Sequence, residues 1–136
     1  MGSTRQIATR TSSAEDTILV VDDNDDIRAL VRDILTSHGF SVLTATDGRN
    51  AVDLFRRCSG EITAVLLDMT MPELGGEAAL RALRSIDSTV KVVLMSGYPE
   101  HTAAQRLVSQ GLASFLEKPF LPDGLLHALR ELRPAA

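Results

Sequence analysis

The stretch "AVLLDMTMP", residues 64–72, sets four apolar residues before a carboxylate, Asp68, and runs into a loop marked by Pro72, Gly75 and Gly76. An apolar run of that length bounded by turn residues reads as a buried strand. Asp68 is therefore predicted at the strand's carboxyl end. In open α/β sheets that edge is where ligands bind, so the other residues reaching it decide what the chain does.

The apolar period alternates between strand and helix from Thr17 onward. "TILVV" is a short β-branched run, and "DIRALVRDILTSHG" spaces Ile27, Leu30, Val31, Ile34 and Leu35 as a helix that Gly39 ends. "FSVLTA" reads as a second strand. The turn at Asp47 and Gly48 precedes a helix carrying Ala51, Val52, Leu54 and Phe55. "TAVLL" with "EAALRALRSI", "VKVVLM" with a helix through Ala104, Leu107 and Val108, and "ASFLE" with "PDGLLHALRELR" complete five strand–helix units. Continuous rather than alternating apolar strands, each followed by a helix, predict a parallel sheet covered on both faces. Five units are too few for a closed eightfold barrel. The expected fold is a single doubly wound α/β domain.

In a parallel sheet the residues just after each strand gather along one edge. Asp22 and Asp23 follow the first strand, Asp68 the third, Ser96 and Gly97 the fourth, and Lys118 and Pro119 the fifth. A lone strand-end Asp is ordinarily a turn or cap residue. Caps do not account for three carboxylates, a hydroxyl and an ammonium at one edge. Close carboxylates repel at neutral pH unless protons or a cation intervene, and Mg2+ takes few carboxylates while keeping positions open for phosphate oxygens. Lys118 would meet a second anion, or Asp68 while the site is empty.

Composition narrows the alternatives. The chain has 136 residues, 44% of them hydrophobic, which suits one domain with one core. Its net charge of -4, with no Lys/Arg run, gives no footprint for nucleic acid. Cys58 is the sole cysteine, so no internal disulfide or cysteine zinc cluster forms, and it reads as an inert, at least half-buried thiol on a helix. No run approaches the roughly 18 apolar residues of a membrane span, and the N-terminus lacks a signal peptide's apolar core, so a cytoplasmic location is expected. Residues 1–16, rich in Ser and Thr, read as a disordered tag or linker, and 17–134 as the folded domain.

With "VVDDN", "LLDMTMP", "LMSGY" and "FLEKPF" in order, the chain from about Thr17 to Arg133 resembles the receiver domain of two-component response regulators. The resemblance implies the flavodoxin-like strand order 2-1-3-4-5. It implies Asp68 as phosphoacceptor, and Mg2+, with Mn2+ as a substitute, held by Asp22, Asp23, Asp68 and the backbone carbonyl of Thr70. Ser96, Gly97 and Lys118 would bind the phosphoryl group, across a cis Lys118–Pro119 bond. The donor would be a phosphohistidine on a histidine kinase or phosphotransfer domain. The chain would be no enzyme in the ordinary sense, catalysing only its own phosphorylation and slow dephosphorylation. Its three histidines, His38, His101 and His127, read as surface or helix-end residues rather than donors.

Three finer expectations follow from the same resemblance. Ser96 and Phe115 form a switch, in which Phe115 turns into space that Ser96 vacates when it bonds the phosphoryl group. The alternative for Phe115 is a fixed core residue. The first helix carries more apolar residues than one core stripe requires, so Ile27, Leu30 and Ile34 are candidates for docking the donor's helical bundle, or are simply core. "VVLMSGY", "GLASFLEKPF" and the Ser/Thr-rich lead-in look like the C-terminal receiver of hybrid sensor histidine kinases; a stand-alone regulator and a degenerate protein-binding receiver are the alternatives. A haloacid-dehalogenase-type phosphohydrolase would need a second Asp where Thr70 stands.

Overall fold

A computed structural model of the chain describes residues 16–58, 60–69, 76–97, 102–111 and 113–130. Strands β1 (Thr17–Val21), β2 (Ser41–Ala45), β3 (Ala64–Asp68), β4 (Lys91–Ser96) and β5 (Ser114–Glu117) form one parallel sheet in the order β2-β1-β3-β4-β5. Helices α1 (Asp25–Ser37), α2 (Gly48–Cys58), α3 (Gly76–Ile86), α4 (Thr102–Ser109) and α5 (Pro122–Arg130) follow them in turn. The doubly wound fold is as the apolar pattern predicts, and the strand order is the one the resemblance implies.

The continuous apolar strands are explained by two cores, one on each face of the sheet. On one face Leu19, Val65, Leu67, Val92 and Leu94 pack against Phe55 of α2, Leu80 and Leu83 of α3, and Leu107 of α4. On the other, Ile18, Val20, Leu66, Val93 and Met95 meet Val31 and Leu35 of α1 and Leu125 and Leu129 of α5. Each such side chain, fully buried, contributes roughly 1.5–3 kcal/mol of hydrophobic free energy.

Local chemistry sets where the helices begin. Asn24 caps α1, its side-chain oxygen accepting from Ile27 N at 3.0 Å, and Asp25 and Asp26 place negative charge in the first turn. Asp47 does the same for α2, accepting from Asn50 N at 2.8 Å. The expected Asp47–Gly48 turn is therefore corrected: Asp47 is a helix cap and Gly48 already belongs to the helix. Gly39, at φ 90, lets the chain leave α1 in a left-handed conformation. Gly76 has no room for a side chain, because a Cβ there would lie 2.6 Å from Met69 Sδ and 2.8 Å from Met69 Cα. α3 thus starts hard against the end of the strand that carries Asp68.

Cys58 is half-buried at the end of α2. His38 is exposed, with its Nδ1 2.9 Å from the Ile34 carbonyl at the end of α1, and His127 is exposed on α5. His101, Thr70 and residues 1–15 lie outside the described residues. No helix among the described residues is long and apolar enough to cross a membrane.

Candidate functional site

Sheet register assembles the site. Val21 pairs with Leu67 across β1 and β3, which sets Asp22, the next residue, level with Asp68. Asp68 pairs with Met95 across β3 and β4, and Ser96 pairs with Glu117 across β4 and β5. One further step along each chain brings Ser96 and then Lys118 to the same edge. Oxygens of Asp22, Asp23 and Asp68 all lie within 4.8 Å of one another. Asp22, Asp68 and Ser96 are buried, and Asp23 is exposed at the mouth.

The charges are unevenly matched. Lys118 Nζ lies 2.8 Å from Asp22 Oδ2 and 3.5 Å from Asp68 Oδ1. The ammonium expected on Asp68 is thus shared, and its nearer partner is Asp22. The other oxygen of Asp22 accepts from Asn24 N at 2.9 Å. Burial pushes the Asp22 carboxyl above its ordinary 3.8, the hydrogen bonds from Lys118 and Asn24 pull it down, and the Asp68 charge raises it again. Among the described residues, three carboxylates face one shared ammonium, which leaves the cluster short of positive charge. That donor set, all hard oxygen with one member open to solvent, fits Mg2+.

The Lys118–Pro119 bond is cis, and Lys118 N donates to the Ser96 carbonyl at 2.8 Å, tying the β5 edge to the end of β4. Phe115 is half-buried against the core, and its register partner is Leu94, two residues before Ser96. Strand alternation puts Ser96 on the same sheet face as Leu94 and Phe115. Gly97 is exposed and lines a cavity of about 410 Å³ with Ile27, Leu30, Lys118, Pro119 and Phe120, beside the acidic cluster.

The helix-one stripe divides. Leu30 is 48% exposed and Ile27 is half-buried, but Ile34 is 9% exposed and packs into the core with Val31 and Leu35. The expectation that Ile34 keeps surface toward solvent is corrected, because Ile34 is covered within the core that Val31 and Leu35 share with α5 and the sheet. The sequence reading passes over Phe120, which lines the cavity beside Gly97, and Leu121, 76% exposed just after it. It also passes over Arg28, whose Nη1 donates to the Asp22 carbonyl at 2.7 Å.

The family model described as the response regulator receiver domain matches residues 18–130, and the chain belongs to that family. Among curated relatives it is 32% identical over 116 residues to the chemotaxis protein CheY of Thermotoga maritima, covering 85% of this chain and 95% of that protein. It is 33% identical over 120 residues to the sensor kinase CckA of Brucella abortus, covering 88% of this chain but 13% of the kinase. Among solved structures, the response regulator TrrA of Thermotoga maritima in complex with Mg2+ and BeF is similar, with a TM-score of 0.75, 29% identity, and coverage of 87% of this chain and 99% of that one.

Proposed function

We propose that this receiver takes a phosphoryl group onto Asp68 from a phosphohistidine of a histidine kinase or phosphotransfer domain. The observation that carries the reading is the buried Asp68 carboxylate at the end of β3, with Asp22 and Asp23 inside 4.8 Å and the Lys118 ammonium at 3.5 Å. A carboxylate and a phosphoryl group are both negative, so attack requires the charge between them to be cancelled and the oxygen held in line. An Asp68 oxygen attacks phosphorus, the donor's N–P bond breaks with its electron pair returning to the imidazole, and an acyl phosphate results. Lys118 neutralises a phosphoryl oxygen and Ser96 donates a hydrogen bond to another. Asp22, Asp23, Asp68 and the Thr70 carbonyl would hold Mg2+, which when bound supplies charge neutralisation at the phosphoryl oxygens.

Ile27, Leu30, Pro119 and Phe120 beside Gly97 support a docking role for this face, because an apolar rim next to the acidic cluster suits a donor helix that must bring its phosphohistidine to Asp68. Leu30→Asp should slow transfer from a phosphorylated histidine kinase about tenfold, as loss of a well-placed apolar anchor does. Labelling by acetyl phosphate should stay unchanged. If both reactions fell together, Leu30 would be serving the fold instead.

The shared face of Ser96 and Phe115 supports the switch. A phosphoryl group shifts the equilibrium only through its bond to Ser96, so removing that hydroxyl should uncouple the two residues. Backbone amide shifts on adding beryllofluoride should reach Phe115 and α4 in the wild type and contract toward Asp68 in Ser96→Ala. Equal spread in both proteins would remove Ser96 from the coupling. The CckA similarity supports excision from a hybrid kinase, and the CheY similarity supports a stand-alone regulator. The reading frame on either side of the chain decides between them.

A further inference from the structure

We propose that Arg28 is a positioning residue for Mg2+ at this site: by holding the Asp22 carbonyl, it sets the peptide plane from which Asp23 presents its carboxylate. The inference rests on the reading of Asp22, Asp23 and Asp68 as a metal site. Asp22 and Asp23 occupy the short link between the end of β1 and the Asn24 cap. Asp22 is tied down along its length, with its N donating to the Ala45 carbonyl at 3.2 Å and its side chain held by Asn24 N and Lys118. Asp23 projects to solvent, and the direction of its side chain follows from the peptide that precedes it.

The Asp22 carbonyl and the Asp23 N–H belong to one rigid plane. Arg28 Nη1 reaches back from the first turns of α1 to that carbonyl at 2.7 Å, while Nη2 binds the Asp25 carboxylate. The guanidinium's fixed fork makes both bonds together, and its side chain is 16% exposed. The Asp25 side chain is 88% exposed, so the bond to it steadies the guanidinium only weakly, and it is the bond to the carbonyl from a largely buried Arg28 side chain that carries the positioning. Rotation of the Asp22–Asp23 plane is thereby opposed, and so is loss of Asp23 from the 4.8 Å cluster.

A positioning role and a charge effect have opposite signs. Taken as a nearby cation, Arg28 repels Mg2+, and its removal should tighten binding. Taken as the group that orients Asp23, its removal should weaken binding. Mg2+ titration of the full chain, followed by the amide shifts of residues 22–24, separates the two in wild type, Arg28→Met and Arg28→Lys. Arg28→Met should bind Mg2+ about tenfold more weakly, the lower end of the loss seen when a group orienting a metal ligand is removed. Arg28→Lys, which retains a donor but not the fork, should recover part of that loss. Metal-free unfolding checks that each variant is folded; if Arg28→Met does not fold, weaker binding by Arg28→Lys carries the same expectation. Binding by the folded variants as tight as wild type or tighter would overturn the inference and leave the metal site intact. A wild type that binds no Mg2+ would instead overturn the metal-site reading beneath it.

Discussion

Lys118→Met is expected to slow acyl phosphate formation from acetyl phosphate roughly 10²-fold, the effect of deleting one preorganised charge from a site where charge develops. The same change should destabilise the unphosphorylated protein, because Asp22 and Asp68 are buried and share this ammonium. The expected loss is about 2 kcal/mol near pH 7, below the roughly 3–5 kcal/mol of a fully buried broken pair, since Lys118 is 21% exposed. Burial already raises the Asp22 carboxyl above 3.8, and the Lys118 hydrogen bond is the foremost influence opposing it. Without Lys118 it rises further.

The direction of the pH dependence follows. A carboxyl whose folded value lies above its unfolded one stabilises the fold below the unfolded value, and loses that contribution as pH rises through the folded value. Lys118→Met should therefore approach wild-type stability near pH ~4 and fall furthest behind near pH ~7. Urea unfolding at both pH values reads the difference. A deficit equal at the two pH values would mean that Lys118 acts through packing of its aliphatic stem, which carries no proton linkage, rather than through its charge.

The sheet and the residues along its carboxyl edge were legible because both depend on short-range pattern. A strand buried on two faces needs an unbroken apolar run, as in "TILVV" and "TAVLL", and in a parallel sheet whatever follows each run lands at one edge. Asp22, Asp68, Ser96 and Lys118 were located by that rule alone. Asp47 was misplaced because a turn and a helix cap draw on the same residue types. Ile34 was misplaced because helical spacing identifies an apolar stripe without showing how wide a neighbour covers it. Arg28 carried no signal: an Arg three residues after Asp25 looks like any exposed i,i+3 pair, and its bond to the Asp22 carbonyl exists only once the β1–α1 link has folded. The preference of Lys118 for Asp22 over Asp68 is likewise a matter of tenths of an ångström set by the packed edge. In the sequence Gly76 reads as loop punctuation, although its lack of a side chain is what lets α3 abut Met69.

Intact-protein mass spectrometry of wild type and Asp68→Asn, each incubated with acetyl phosphate in the presence and absence of Mg2+, tests the phosphoacceptor assignment most directly. Asn keeps the shape of Asp68 but offers no carboxylate to attack phosphorus. Wild type should gain the mass of one phosphoryl group only with Mg2+, and Asp68→Asn should gain none. Equal labelling of the two proteins, or labelling indifferent to Mg2+, would contradict it.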